Sequence, residues 1–249
     1  MRAANFWLLA GQRLLMIDEA LLDAAAPGAT APILKMHAPR KTGQIVITPD
    51  KAWEGVIFYY DSVVQVGPAE FRIYYDTFGP AGRFLCVALS NDTVTWTKPV
   101  LNNVAFGPEN STANNIILGA DGYIEPGTVF IDENPAVKSQ EKYKMVASYH
   151  GGASMFSSPD GFLFTPMTPK PSLTGSDTQD VVFFDTKYEQ YVYYGRTHER
   201  GTGPVCPKGT QQPGRSVGRM LLGKDVTNRP IHSANQAGLA NIATGGLAN

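Results

Sequence analysis

Short apolar or alternating runs recur along the middle of the chain in three groups, and the first two groups end in the same polar turn. A period of two residues predicts β-strands rather than helices. The predicted strands are Val56–Val66, Phe71–Tyr75 and Arg83–Leu89; then Thr128–Ile131, Tyr143–Tyr149 and Ala153–Ser157; then Val181–Phe184, Tyr191–Gly195 and Arg215–Leu222.

The repeated turn marks the boundary of each unit. It reads Ser90-Asn-Asp-Thr-Val-Thr-Trp96 in the first group and Ser158-Pro-Asp-Gly-Phe-Leu-Phe164 in the second. We interpret Asp92 and Asp160 as structural, because an aspartate in such a turn accepts hydrogen bonds from the backbone amides that follow it. Groups of three or four antiparallel strands that repeat at about 40–70 residues are typical of propeller blades. The sequence therefore predicts an all-β protein, a β-propeller of antiparallel four-stranded blades.

Three stretches follow from this pattern. Residues 1–52 are a lead-in with predicted strands at Ile33–His37 and Ile45–Ile47, and with a short helix or an edge strand within residues 13–25. Residues 53–222 carry three blades, and residues 223–249 are a polar tail with little strand signal. Because propellers have about 4–8 blades, either a fourth unit lies in the tail or the chain is a fragment. We favour the fragment.

Composition removes several classes of function. A formal net charge of −1 over 249 residues gives no reason to expect a nucleic-acid partner. The two cysteines do not define a disulfide framework, and no spacing of His, Cys, Asp or Glu indicates a metal site. We expect no cofactor. The apolar run near the N-terminus is too short to span a membrane and is a weak signal peptide, so the compartment stays open. The sequence does not indicate an oligomeric state.

The ordered series of motifs resembles the five-bladed propellers of the glycoside hydrolase family 43 and family 32 type, over roughly Leu14 to Leu222. The segments that carry the resemblance are Trp53–Gly55, Cys86–Pro99, Asn114–Ile117, Glu141–Met145, Phe156–Gly161, Ser176–Asp180 and Arg215–Arg219. The resemblance implies two further blades and a chain truncated after the third. It also implies a carbohydrate substrate and carboxylates that project into a central funnel, where an oxocarbenium-like transition state needs an anion and a proton donor.

Carboxylates near the start of each inner strand are the candidate catalytic groups. They are Asp61, Glu125 and Asp177. Each has a structural alternative: Asp61 as a turn acceptor, Glu125 in a surface loop before Pro126, and Asp177 in an Asx-turn.

Residues predicted to bind substrate surround these carboxylates in the sequence. They are Trp53, Glu54, His150, Asp180, Arg196 and Arg219. Trp53 could stack on a sugar ring, and the arginines could bind hydroxyls or a carboxylate bidentately. The alternative for the arginines is an ion pair between blades. The leading hypothesis is a glycosidase that is inactive if the ring is incomplete. The alternatives are a non-catalytic carbohydrate-binding propeller, with Tyr59 and Tyr60 as further stacking surfaces, and an interaction fragment.

Overall fold

A computed structural model describes residues 38–55, 57–119, 123–149, 152–171, 179–199, 214–226 and 240–241. The chain divides into two compact units, Met1–Gln44 and Ile45–Asn249, and all strands of the described residues lie in the second unit. Of the lead-in predictions, residues 13–25 and Ile33–His37 lie outside the described residues. The predicted strand at Ile45–Ile47 is wrong: no ladder forms there, and Ile47 instead packs as an apolar side chain against the first sheet.

Twelve strands form three antiparallel four-stranded sheets within the described residues. The first sheet contains β1 (Ile57–Gly67), β2 (Glu70–Gly79), β3 (Gly82–Ser90) and β4 (Ile116–Gly119). The second contains β5 (Tyr123–Ile131), β6 (Tyr143–Tyr149), β7 (Gly152–Ser158) and β8 (Thr165–Pro166). The third contains β9 (Val181–Asp185), β10 (Gln190–Glu199), β11 (Gly214–Gly223) and β12 (Ala240–Asn241).

Each sheet is a meander in sequence order, and the first strands of successive sheets lie beside one another, β1 next to β5 and β5 next to β9. This is the arrangement of propeller blades around an axis, so the predicted fold class is confirmed over three blades. Only a single turn of 3-10 helix, Ser139–Glu141, interrupts the β structure of the described residues. None of the described residues belongs to a helix that is long and apolar enough to cross a membrane.

The segment predicted as a polar tail supplies the outer strand of the third blade. Ala240 and Asn241 pair with Arg219 and Gly218 of β11. A strand of only two residues is too short to show the alternation of apolar and polar positions by which strands are predicted.

Apolar side chains fill the space between blades, because a sheet in this arrangement buries its faces against its neighbours. The core between blades 1 and 2 includes Val64, Tyr74, Leu85, Val87, Val129, Met145, Phe156 and Phe164. The core between blades 2 and 3 includes Val146, Met155, Val182, Phe184, Tyr191 and Leu222. The other face of blade 1, with the free and buried Cys86, is covered by Trp53, Trp96, Val104 and Phe106.

The turn that ends blade 2 docks on blade 1. Arg72 of β2 donates to the carbonyl oxygen of Asp160, and its guanidinium lies 4.0 Å from the ring centroid of Phe162. The Tyr74 hydroxyl donates to the carbonyl oxygen of Gly161 at 3.0 Å. Gly161 has φ +77°, and a β-carbon there would lie 2.6 Å from Arg72 Nη1 and 2.7 Å from Tyr74 Oη. The backbone therefore favours glycine at this position, and a side chain there would have to displace Arg72 and Tyr74 from the turn.

Gly161→Ala is expected to destabilise the protein by about 2–4 kcal/mol, since left-handed backbone strain and overpacking add. Gly107 offers a matched control, because it has φ +74° and a β-carbon added there would meet nothing within 4 Å. Gly107→Ala should cost only the backbone strain, about 1 kcal/mol. Urea denaturation of both variants measures the difference, and equal losses would contradict the docking role of the turn.

The equivalent turn of blade 1 is held by its aspartate. The backbone amides of Thr95 and Val94, followed by the Ser90 hydroxyl, lower the pKa of Asp92 to about 2. This confirms the hydrogen-bonding pattern that the sequence predicts for Asp92, and Asp160 makes the same contacts with Phe162 and Leu163.

Asp92→Asn is expected to lower the melting temperature at neutral pH. A depressed pKa stabilises the fold above the ordinary value of about 3.9, and this contribution disappears as the pH falls towards 2. Thermal melts of both proteins between pH 7 and pH 2 should therefore converge at the acidic end. A gap that stays constant across this range would show that the Asp92 charge does not stabilise the turn.

Candidate active site

The innermost strands bring one position of each blade together. In each blade the first strand pairs with the second at an equivalent point: Gln65 with Phe71, Ile131 with Tyr143, and Phe184 with Tyr191. Asp61, Gly127 and Asp180 each lie four residues before this point, and so they are equivalent positions. Gln179 bridges them, because its Nε2 donates to the carbonyl oxygens of Asp61 at 3.3 Å and Gly127 at 3.4 Å. Asp61 and Asp180 therefore occupy equivalent positions in blades 1 and 3.

A β-bulge in β1 presents Asp61 to solvent. Tyr60 and Asp61 both lie between the pairs Tyr59–Asp76 and Ser62–Tyr74, so that two residues of β1 oppose Tyr75 alone. Tyr60 has φ +58°, an unfavourable conformation for a residue with an aromatic side chain. Bulges redirect side chains and are common next to active sites. Here the bulge leaves Asp61 exposed and Ser62 buried.

Ser62 links the bulge to the next blade. Its hydroxyl accepts a hydrogen bond from the backbone amide of Val129 at 3.3 Å. In turn, the Thr128 hydroxyl donates to the carbonyl oxygen of Asp180 at 2.9 Å. The three inner strands are thus joined by side-chain contacts at the level of Asp61, which fixes the position of its backbone.

The pKa of Asp61 is raised above its ordinary value, first by partial burial of the carboxyl group and second by the nearby carboxylate of Asp76. Asp76 is fully buried and is held by Arg83, whose Nη2 lies 2.7 Å from its Oδ2. The ion pair with Arg83 fixes the Asp76 carboxylate near Asp61. A carboxyl group with a raised pKa, open to solvent on one side, is suited to donate a proton.

Asp76 was not among the candidates from the sequence. It follows the apolar residues Ile73, Tyr74 and Tyr75 in the middle of a strand, and Arg83 lies on the other strand of the hairpin. A carboxylate that interrupts a buried strand, with an arginine in the neighbouring strand of the same hairpin, is a usable signal, because buried charges require partners.

Trp53 and Glu54 support blade 1 from the side of Tyr75. The Glu54 side chain is fully buried, accepts from the Tyr75 hydroxyl at 2.7 Å, and pairs with Lys98 Nζ at 2.7 Å. The Trp53 indole nitrogen donates to Asn115 Oδ1 at 2.8 Å. Asn115 Nδ2 in turn donates to the Tyr75 hydroxyl at 2.8 Å, so Glu54 contacts Tyr75 directly and Trp53 contacts it through Asn115. The role of Trp53 and Glu54 in substrate binding stays a prediction.

Asp180 and Arg219 have different surroundings. The Asp180 carboxylate is 1% exposed and accepts a hydrogen bond from the Tyr193 hydroxyl at 3.0 Å. It therefore braces the start of blade 3. Arg219 is half-buried on β11, between Tyr194 and Ala240 in the pairing register.

The remaining predicted residues are only partly among the described ones. The backbone of Glu125 pairs with Ser148 in the second blade, and that of Arg196 pairs with Val217 in the third, whereas their side chains are not described. Asp177 and His150 lie outside the described residues. Within the described ranges, no group of three or more His, Cys, Asp or Glu side chains is placed to hold a metal ion.

Asp61→Asn is expected to raise the melting temperature at neutral pH. A carboxyl group whose pKa is raised in the native state destabilises the fold above its ordinary pKa of about 3.9, and the amide removes that penalty. Melts of the two proteins should converge below pH 4. A loss of stability in the variant at pH 7 would instead mean that the Asp61 carboxylate is a structural group.

Comparisons with known proteins find similar folds at low identity. No protein-family model matches the chain, and no curated protein matches it. Among solved structures, a glycosyl hydrolase from Bacteroides ovatus has 18% identity and a TM-score of 0.44, covering 70% of this chain and 50% of its own. Fructan 1-exohydrolase IIa from Cichorium intybus has 18% identity and a TM-score of 0.41, covering 65% of this chain and 32% of its own.

A third similar structure comes from work on the GH130 family of mannoside phosphorylases, which contains glycoside hydrolases that target β-1,2 mannosidic linkages in Candida mannan. It has 15% identity and a TM-score of 0.45, and the match covers 74% of this chain and 53% of the other. The chain spans about half the length of the first of these structures. These values assign neither a family nor a reaction to this chain.

Proposed function

We propose that this chain is a glycosidase-type propeller and that Asp61 takes part in cleaving a glycosidic bond of an oligo- or polysaccharide. The observation that carries the proposal is the bulge, which holds Asp61 in a strained segment of the innermost strand, exposed, with a raised pKa beside the buried Asp76. Strained backbone and perturbed carboxyl groups concentrate at functional sites. A raised pKa favours the role of general acid for Asp61.

Glu125 and Asp177 complete the proposed set of carboxylates. In the sequence Glu125 lies two residues before Gly127, and Asp177 lies three residues before Asp180. One would act as the nucleophile or base and the other would orient the sugar. A separation of about 5 Å between acid and nucleophile would give retention of configuration, and about 6.5–9.5 Å would give inversion.

A non-catalytic carbohydrate-binding propeller is the second candidate, and a specific observation favours it. Of the three equivalent inner positions, blade 2 has Gly127 and the Asp180 carboxylate of blade 3 is buried. Among these positions only Asp61 presents a carboxylate to solvent. One exposed carboxylate suits hydroxyl recognition, whereas hydrolysis of a glycoside requires two.

Hydrolysis of a panel of aryl furanosides and pyranosides tests the proposal with the full chain. Asp61→Asn is expected to lower kcat by about 10²–10⁴-fold, the usual contribution of a general acid. Glu125→Gln and Asp177→Asn should also lower kcat strongly. Glu133→Gln replaces an exposed carboxylate in the loop after β5 and should leave kcat unchanged.

The outcomes separate the two candidates. Hydrolysis by the native chain that survives Asp61→Asn would remove Asp61 from the mechanism. Absence of hydrolysis, with saccharide binding that is weakened by Asp61→Asn, would favour the binding propeller. Neither hydrolysis nor binding across the panel would overturn both.

A further inference from the structure

A cleft of about 460 Å³ opens between blades 2 and 3, away from the inner-strand carboxylates. Its walls are the loop after β5, one residue each from β7 and the segment after β8, and the turn that follows β11. The volume is in the range of sites for small molecules, about 300–1,000 Å³. The residues that matter for its chemistry are Asn134, Lys138, Lys144, Tyr191, Lys224 and Asp225.

The same place between blades 1 and 2 is filled. There Arg72, the residue that follows the pair Phe71–Ser90, reaches the turn of the next blade and packs under Phe162. Lys144 holds this position in blade 2, because it follows the pair Tyr143–Ser158. The turn it would meet begins at Gly223, which pairs with Tyr191, and places Asp225 where the other turns have Asp92 and Asp160.

Two differences keep the second position open. Lys144 turns back into its own blade, where its Nζ lies 2.5 Å from Asp132 Oδ2 and 3.2 Å from the carbonyl oxygen of Glu141. The third turn also has a different backbone, with its positive φ of +74° at the first residue, Gly223. In the other turns the positive φ falls at the fourth residue, +64° at Thr93 and +77° at Gly161.

The floor of the cleft is rigid and polar. Asp132 Oδ2 accepts hydrogen bonds from Lys144 Nζ and from the Tyr191 hydroxyl, each at 2.5 Å. Asn134 Nδ2 donates to the Tyr191 hydroxyl oxygen at 3.2 Å, and the backbone N–H of Asn134 donates to Asp132 Oδ1 at 3.0 Å. Lys144 is only 2% exposed, so this network is desolvated and keeps its geometry.

The rim carries charges of both signs. The side chains of Lys138 and Lys224 are 77% and 79% exposed, and their ion pairs with Glu141 at 3.9 Å and Glu189 at 3.2 Å are weak at such exposure. Over the whole cleft three lysines, Lys138, Lys144 and Lys224, are balanced by three carboxylates, Asp132, Glu141 and Asp225. Val137, Met167 and Val226 add apolar surface.

We propose that this cleft binds a neutral saccharide at a site separate from the inner-strand carboxylates. Ammonium donors and carboxylate acceptors on one rim match adjacent hydroxyl groups, and the apolar residues match the C–H face of a sugar ring. Balanced charge disfavours an anionic ligand. The proposal does not depend on the proposed hydrolysis, since the cleft and Asp61 belong to different parts of the blades.

Saturation-transfer NMR and calorimetry with glucose, mannose, fructose and their neutral disaccharides test this site. Binding to the native chain is expected at millimolar concentration and with little dependence on salt. Ala136→Trp fills the cleft from an exposed loop position and should abolish binding. Lys224→Ala should weaken it about tenfold, the loss of roughly one hydrogen bond to a charged group.

Three controls locate the binding. Lys187→Ala removes an exposed lysine of the neighbouring hairpin that does not line the cleft, and it should bind as the native chain does. Repeating the Ala136→Trp comparison in the Asp61→Asn background separates binding in the cleft from any binding at the proposed active site. If Ala136→Trp melts early, the double variant Lys138→Ala, Lys224→Ala replaces it, because both side chains are exposed.

The site would be overturned by absence of binding to every neutral sugar, or by binding that Ala136→Trp and the double lysine variant both leave intact. Preference for a uronic acid over its neutral counterpart would overturn the assignment of a neutral ligand.

Discussion

The contact on which the packing of blades 1 and 2 depends is the docking of the blade 2 turn onto the second strand of blade 1. A four-stranded sheet exposes two faces, and neither is covered unless neighbouring blades keep a fixed distance and register. Arg72 and Tyr74 set both, because they bind the backbone carbonyls of Asp160 and Gly161 rather than side chains. The apolar core between the blades, including Val87, Met145 and Phe156, then packs at the spacing that these polar contacts allow.

The same register places the inner strands, and the inner strands place the candidate active site. Val129 of blade 2 donates to the Ser62 hydroxyl, and Gln179 at the start of blade 3 donates to the carbonyl oxygen of Asp61. These contacts stabilise a bulge that Tyr60 alone would disfavour at φ +58°. The strain is therefore offset by interactions between blades. The bulge exposes Asp61, and the contacts on either side hold the bulge in place. The surroundings that raise the pKa of the Asp61 carboxyl group are therefore fixed as well.

The sequence predicted the strands and turns well where the pattern is local. The alternation of Phe71–Tyr75 and the hydrogen bonds of Asp92 follow from neighbouring residues, and both are present in the structure. It did not predict β12, whose two residues form a strand only because β11 offers an open edge. It also did not predict the bulge at Asp61, the partner role of Asp76 or the burial of Asp180, since these depend on packing between strands that are distant in sequence.

Equivalent positions in a repeat need not keep equivalent roles. Arg72 is long enough to reach the next blade and has a planar group that stacks on Phe162. Lys144, at the same position, finds Asp132 and Glu141 within its own blade and does not extend. Blade 2 gains a buried ion pair, but the space in front of it is left unfilled. Within the described residues, blades 2 and 3 are held by the apolar contacts of Val146 and Val182 and by the hydrogen bond from the Tyr191 hydroxyl to Asp132, without a turn docked on the second strand. Because these contacts hold blades 2 and 3 together, the space at the edge of their interface does not have to be filled. A repeat protein can place a binding site in such a space without altering its inner strands.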